Sequence, residues 1–372
     1  MRILLPGPTP IPEPVQEALI RAMSDHRGTL FREVEERVRT EMASLFGAPS
    51  KNHIALLPAS GTGGLEAAVQ NFFQPGDQAL AIESGLFGRR FSEVAEAHGV
   101  AVDRLETPWG QAFDVDAVIT RLIQNPVQYR AILVTHNETS TGVQNPVEQL
   151  AEALVRHVDP VPLVIVDSIS GVPSIPLTIR PGIDVIIAAS QKGFMCPPGL
   201  AMLALSERAR EAVLPDSRSG RFYFDLRPYL ADRLPYTPAV GLWHAMDAAL
   251  ALLNHEGPAA RLERHQRLRD LVRTFAQAGG LTLLVDDLVA SPTVTALGLP
   301  DTMNPTRLRS ALERSGLQIA GGLGPWHAHA IRIGHVGHLE VTDVAGGLAL
   351  IAPHLPHPEQ ALASMTPLLK EA

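Results

Sequence analysis

The chain has 372 residues, 45% of them hydrophobic and 19% charged, with a formal net charge of −8. That length exceeds one average core and favours two domains, while an acidic balance without any block of Lys or Arg argues against a dedicated nucleic-acid surface. The single cysteine, Cys196, leaves no intrachain disulfide and no cysteine-based metal site. The opening stretch to Pro10 is too poor in apolar residues for a signal peptide, and no apolar run of about 18 residues occurs, so a cytoplasmic protein is expected.

Beyond the proline-rich start, the charge and apolar spacing of residues 33–45 predict an amphipathic helix stopped by Gly47 and Pro49. Short apolar runs then recur at 54–57, 79–82, 131–135, 163–166, 183–189 and 201–205, with helical patterns between most of them at 65–73, 89–98, 115–123 and 147–157. Strands alternating with helices predict an α/β fold, a mainly parallel sheet covered by helices on both faces. A longer helix is expected from about 238 to 255. Beyond Gly257 the pattern becomes helix, strand 293–297, helix 305–315, strand 331–334 and a closing helix, which suggests a smaller α+β domain from about 256 onward. The expected division is an N-terminal segment 1–20, a large domain 21–255 and a small C-terminal domain 256–372.

Ligands of such sheets bind outside the carboxyl ends of the strands, so the polar residues there are the candidates. Ser60-Gly61-Thr62-Gly63-Gly64 follows a strand and opens a helix, which suits an anion held by free N–H groups and hydroxyls, although many βα turns look alike. The lysine of a Walker A loop is missing, and Glu66 occupies the third glycine position of a dinucleotide fingerprint. Asp167 ends an apolar strand; it caps the next turn, serves a metal or catalysis, or pairs with a protonated pyridine nitrogen. Phe87, between Gly85 and Gly88, is either core or a flat surface for a planar ring. The run from His136 to Gly142 is a polar turn or a set of donors for a phenolic oxygen.

Ser190-Gln191-Lys192-Gly193 closes the apolar run 183–189 and is followed by Cys196-Pro197-Pro198-Gly199. A lysine there snorkels to water, or is desolvated enough to attack a carbonyl. Arg332, inside a strand, is a surface ion pair or a fork for a substrate carboxylate. His327, His329, His335 and His338 include a H-x-H spacing, but no nearby carboxylate or thiolate completes a ligand set, so no metal is expected. No Gly-x-Ser-x-Gly elbow occurs.

In that order, the Ser60-Gly61-Thr62 loop, Phe87, the 136–142 loop, Asp167, Ser190-Gln191-Lys192 and Arg332 resemble the class V aminotransferases, fold-type I enzymes dependent on pyridoxal 5'-phosphate. The likeness is strongest to the alanine–glyoxylate and serine–pyruvate branch and extends from Leu5-Pro6-Gly7-Pro8-Thr9 to Arg332-Ile333-Gly334-His335. The resemblance implies that Lys192 anchors the cofactor as a Schiff base and moves the substrate α-proton, and that Asp167 keeps the pyridine nitrogen protonated. It further implies that Phe87 and Ile169 flank the ring, that Ser60, Gly61, Thr62 and Gln191 hold the phosphate, and that Thr139 sits near the phenolic oxygen. Arg332 would bind the substrate carboxylate.

Relatives also take a phosphate contact from a partner subunit at a Thr-Pro motif matching Thr237-Pro238, which implies a homodimer with shared sites. Leu234 stands where better-known members carry a tyrosine, with Tyr236 close by as a substitute. The implied reaction is ping-pong transamination from alanine or serine to glyoxylate or pyruvate. The alternatives are a 2-aminoethylphosphonate-type transaminase and a non-catalytic subunit that keeps the fold. A cysteine desulfurase is disfavoured because Cys196 lies four residues after Lys192.

Overall fold

The computed structural model describes residues 1–125, 127–213, 221–232 and 234–370. The chain begins with β1 (Arg2–Leu4), α1 (Glu13–Leu19), α2 (Thr29–Phe46), β2 (Ile54–Leu57), α3 (Gly61–Phe72), β3 (Gln78–Glu83), α4 (Leu86–Ala97), β4 (Ala101–Glu106) and α5 (Val115–Gln124). It continues with β5 (Ala131–Thr135), the short ribbon β6 (Asn137–Glu138) and β7 (Val143–Gln144), α6 (Val147–His157), β8 (Leu163–Asp167), β9 (Val185–Ala189) and β10 (Ala201–Leu205). Then come α7 (Glu207–Ala212), α8 (Leu226–Tyr229), α9 (Val240–Glu256), α10 (Pro258–Ala278), β11 (Thr282–Leu283), β12 (Val294–Gly298), α11 (Pro305–Arg314), β13 (Leu317–Gly321), β14 (Ala330–Gly334), α12 (Val341–Ile351) and α13 (Pro358–Lys370).

The larger sheet has the order β2-β10-β9-β8-β5-β3-β4. Its neighbours are parallel except for β10, which is antiparallel to both β9 and β2. Successive residues of a strand point to opposite faces, and the burial obeys that rule. Ile54 and Leu56 of β2 join the core built with Phe31, Val38 and Met42 of α2 and Trp243 and Met246 of α9. Ala55 and Leu57 join the opposite core, with Leu65 and Val69 of α3 and Phe91 of α4. A sheet buried on both faces explains why its strands read as continuous apolar runs.

The second sheet, β1-β13-β14-β12-β11, takes its first strand from the start of the chain, where Arg2 to Leu4 run parallel to Leu317 to Ile319. Leu4 is buried in a third core with Leu268, Phe275, Ile331 and Leu348. Gly47 ends α2 in the left-handed region (φ 62), as expected of a helix-stopping glycine. Among the described residues no helix is long and apolar enough to cross a membrane.

Candidate active site

Because β2, β3, β5, β8 and β9 point the same way, Leu57, Glu83, Thr135, Asp167 and Ala189 end on one edge of the sheet. The loops leaving that edge enclose a cavity of about 210 Å3. Gly61, Thr62, Phe87, Thr139, Asp167, Ile169, Gln191 and Lys192, all singled out in the sequence, line it. Leu65, Arg90, Asn137 and Ser170 complete the wall.

Lys192 sits in the turn that joins β9 to the antiparallel β10. Ser190 locks this turn: its Oγ donates to the Pro197 carbonyl at 2.7 Å and accepts from the Leu200 N–H at 3.2 Å, and its carbonyl accepts from the Cys196 N–H at 2.9 Å. Met195 takes the left-handed conformation (φ 55) within the turn, uncommon for a residue with a side chain. The Lys192 amine donates to the Pro6 carbonyl at 2.6 Å. Burial chiefly, helped by the Arg332 charge and opposed by Asp167, lowers its pKa to about 8.

Asp167 is buried at the end of β8, with Oδ1 accepting from the Ile169 N–H at 2.9 Å. Burial raises its carboxyl to about 7, and the nearby Glu138 adds to the rise while Lys192 and Arg90 oppose it. A carboxyl in that state lacks a close cationic partner and favours one arriving with a ligand. Ile169 presses so closely on α3 that a Cβ on Gly61 would lie 2.7 Å from its Cδ1.

The first-turn N–H groups of Gly61 and Thr62 have no intrahelical partner, as in every helix. Ser60 caps this helix, with Oγ accepting from the Gly63 N–H at 3.4 Å. It is exposed and is not part of the cavity wall, where Gly61 and Thr62, the residues that follow it, are found. Gln191 Oε1 is buried without a partner. Rotation of that amide offers its NH2 group to an anion. A helix N-terminus, a free amide, a carboxylate, a desolvated amine and two flanking apolar side chains form a donor set that fits pyridoxal phosphate.

Phe87 lies in the first turn of α4, and the Arg90 guanidinium lies 5.1 Å from its ring centroid. The helix has no cap of its own. Its first N–H groups bond instead to the loop after β5: Leu86 to Ser140 Oγ at 3.0 Å, and Phe87 and Gly88 to Glu138 Oε2 at 3.1 and 3.0 Å. Nothing in the sequence gives Glu138 a role of its own; only the order of the strands brings it to α4. Burial raises its pKa, against hydrogen bonds from Ser140, Gly88 and Phe87 that lower it.

Arg332 is buried on β14, with Nε donating to the Gly321 carbonyl at 2.9 Å and Nη1 to the Thr139 carbonyl at 2.8 Å. Burial lowers its pKa to about 10, while Glu138 pulls it upward. It stands behind Thr139 rather than in the cavity wall. Thr237 is exposed and apart from the cavity, next to Tyr236, whose ring stacks on Tyr223 at 5.4 Å between centroids. His335 is fixed in the core by Thr295 Oγ1 and the Pro292 carbonyl, whereas His327, His329 and His338 are exposed. Burial pushes the Cys196 thiol up to about 12, which removes the thiolate that a desulfurase needs.

Residues 7–331 match the family described as aminotransferase class-V, and the chain belongs to that family: it is a pyridoxal-phosphate-dependent aminotransferase. It is 34% identical over 363 residues to the L-aspartate–glyoxylate aminotransferase of Paracoccus denitrificans, covering 93% of this chain and 89% of that protein. It is also 35% identical over 358 residues to the soluble hydrogenase small subunit of a Synechococcus species, covering 94% and 91%. Among solved structures, the subgroup IV aspartate aminotransferase of Thermus thermophilus matches with a TM-score of 0.86 at 29% identity, covering 98% of this chain and all of the other.

Proposed function

We propose that the chain carries out ping-pong amino transfer from alanine or serine to glyoxylate or pyruvate, as a cytoplasmic homodimer. The observation that carries this reading is the placement of the Lys192 amine and the Asp167 carboxylate on one small cavity beside the start of α3. When bound, pyridoxal phosphate supplies a ring that takes up the electron pair left when the substrate loses its α-proton. In this reading Lys192, with a pKa of about 8, takes and returns that proton. Asp167 holds the ring nitrogen cationic, and Phe87 and Ile169 cover the two faces and exclude water.

Ser60, Gly61 and Thr62, with Gln191, hold the phosphate, and the Ser60 side chain also caps the helix. Thr139 faces the phenolic oxygen, and Arg332 grips the carboxylate of donor and acceptor in turn. The three-part division at 20 and 255 belongs to the same reading. It is supported by the separate sheets, although β1 returns to the C-terminal one.

A homodimer is supported by exposed Ile20, Met23, Leu30 and Phe222, and by a cleft lined by Arg32 and by Tyr236, the sequence neighbour of Thr237. The Paracoccus relative acts, by its name, on aspartate and glyoxylate, which supports glyoxylate as acceptor and adds aspartate to the donors worth testing.

The test is absorbance and turnover with a donor panel of alanine, serine and aspartate against glyoxylate and pyruvate. The purified protein is expected to be yellow with pyridoxal phosphate, to bleach on adding a donor, and to lose both properties in Lys192→Ala. A colourless protein that ignores added pyridoxal phosphate overturns the reading. 2-Aminoethylphosphonate in the same assay tests the phosphonate alternative. The Synechococcus relative is by its name a hydrogenase subunit, so the alternative of a non-catalytic subunit that keeps the fold is tested in the same assay. Turnover far below that of ordinary enzymes, with no donor bleaching the cofactor, would support that alternative.

A further inference from the structure

Glu138 takes no part in the chemistry above, yet its side chain is wholly buried and accepts from three N–H groups and one hydroxyl. Phe87 and Gly88 N–H donate to Oε2, and Ser140 donates to Oε1 through its N–H at 3.0 Å and its Oγ at 2.6 Å. Every partner is a donor, so the ionised carboxylate satisfies them all and a protonated one does not. Ser140 Oγ in turn accepts from Leu86 N–H at 3.0 Å. The first turn of α4 is therefore capped by a loop from another strand. Gly85 permits this, because a Cβ there would lie 2.5 Å from both Glu138 Cγ and Ser140 Oγ.

Thr139 lies between the two capping residues. Its carbonyl accepts from Arg332 Nη1 at 2.8 Å, and its hydroxyl donates to Ser170 Oγ at 2.6 Å. The three consecutive residues thus touch the helix that presents Phe87, the cavity wall at Ser170 and the buried guanidinium. We propose that Glu138 and Ser140 form a positioning unit that holds the ring of Phe87 and the fork of Arg332 in one frame, so that cofactor stacking and carboxylate binding are set together. The proposal rests on the aminotransferase reading. Electrostatics act in the same direction: the Glu138 charge favours the cationic form of Arg332 against its burial, and the start of a helix favours an anion beside it.

The test uses the full-length protein loaded with pyridoxal phosphate, as the parent, Glu138→Gln and Ser140→Ala. Far-ultraviolet circular dichroism and thermal melting report folding. Visible circular dichroism of the bound cofactor reports its seating against Phe87, and titration of the cofactor-free protein reports its affinity. Loss of a charge-assisted hydrogen bond predicts about 10- to 100-fold weaker cofactor binding in Glu138→Gln, with KM for both donor and acceptor raised together. Ser140→Ala, which keeps the carboxylate, is expected to move the same readouts in the same direction by less. If Glu138→Gln does not fold, Ser140→Ala decides alone. Folded variants with parental visible dichroism, cofactor affinity and KM overturn the proposal and leave the aminotransferase reading standing. A parent that binds no pyridoxal phosphate overturns both.

Discussion

The Lys192 amine donates to the carbonyl of Pro6 at 2.6 Å, and Thr9 holds the same turn through its N–H to the Gln191 carbonyl and its hydroxyl to the Lys192 carbonyl, both at 3.2 Å. The segment that makes these bonds begins in β1, an edge strand of the second sheet. Lys192 is therefore tied to the C-terminal half of the fold.

Gly7 makes that approach possible. It has φ +116, and a Cβ on it would lie 2.7 Å from Lys192 Nζ. Gly7→Ala is expected to lose about 1–3 kcal/mol of stability and to cut kcat more than it raises KM. Thermal melts and steady-state kinetics check this, and an alanine variant with parental kcat would contradict it.

The pKa of Lys192 is lowered from 10.5 to about 8. Uptake of pyridoxal phosphate by the cofactor-free protein is then expected to accelerate as pH rises through about 8, where the amine loses its proton, and to level off well below 10.5. Stopped-flow absorbance over a pH series measures it. A rise confined to pH above 10 would show that the amine is not desolvated.

Asp167 carries the opposite sign. Its carboxyl is raised from 3.8 to about 7 by burial, so its contribution to stability is fully present below 3.8 and is lost as pH rises through about 7. Asp167→Asn removes that loss. The cofactor-free variant is expected to gain on the parent in melting temperature more at pH 8 than at pH 5, while binding pyridoxal phosphate more weakly. An equal difference at the two pH values would count against it.

Arg332 makes two directed bonds from a planar group, to Gly321 and Thr139. Lysine cannot reproduce that fork. Arg332→Lys is expected to raise KM for donor and acceptor by about tenfold or more, with cofactor absorbance retained. Unchanged KM values would remove Arg332 from carboxylate binding.

Sedimentation of the parent at several concentrations tests the homodimer, and Thr237→Ala tests the shared site. A dimer in which Thr237→Ala weakens cofactor binding is expected. A monomer with full activity would contradict it.

Much of this was legible in the chain. The strands at 54–57, 131–135 and 201–205 and the helix at 147–157 follow from apolar runs and periodicity with the same bounds. The strand expected from 183 begins at Val185, because Ile183 pairs with Arg180 in an isolated bridge. β4 escaped notice because Ala-Val-Asp-Arg-Leu-Glu is an edge strand paired only with β3 and carries no apolar run. β1 escaped because its partner, β13, lies near the other end of the chain. Glu138 was hidden for the same reason: its ligands, Phe87 and Gly88, come from another strand's loop. The cap that Ser60 Oγ makes with the Gly63 N–H could be expected from a serine just before a helix.

The antiparallel strand β10 has a consequence for motion. A parallel neighbour would have needed a long crossover after Lys192, whereas β10 turns straight back and Ser190 ties both ends of the turn together. The Lys192 amine thus hangs from a clamped hairpin, and its travel comes from rotation of its four methylene groups. Amide hydrogen exchange across residues 190–200 is accordingly expected to stay slow through the catalytic cycle, with freedom of movement in this turn confined to a single side chain.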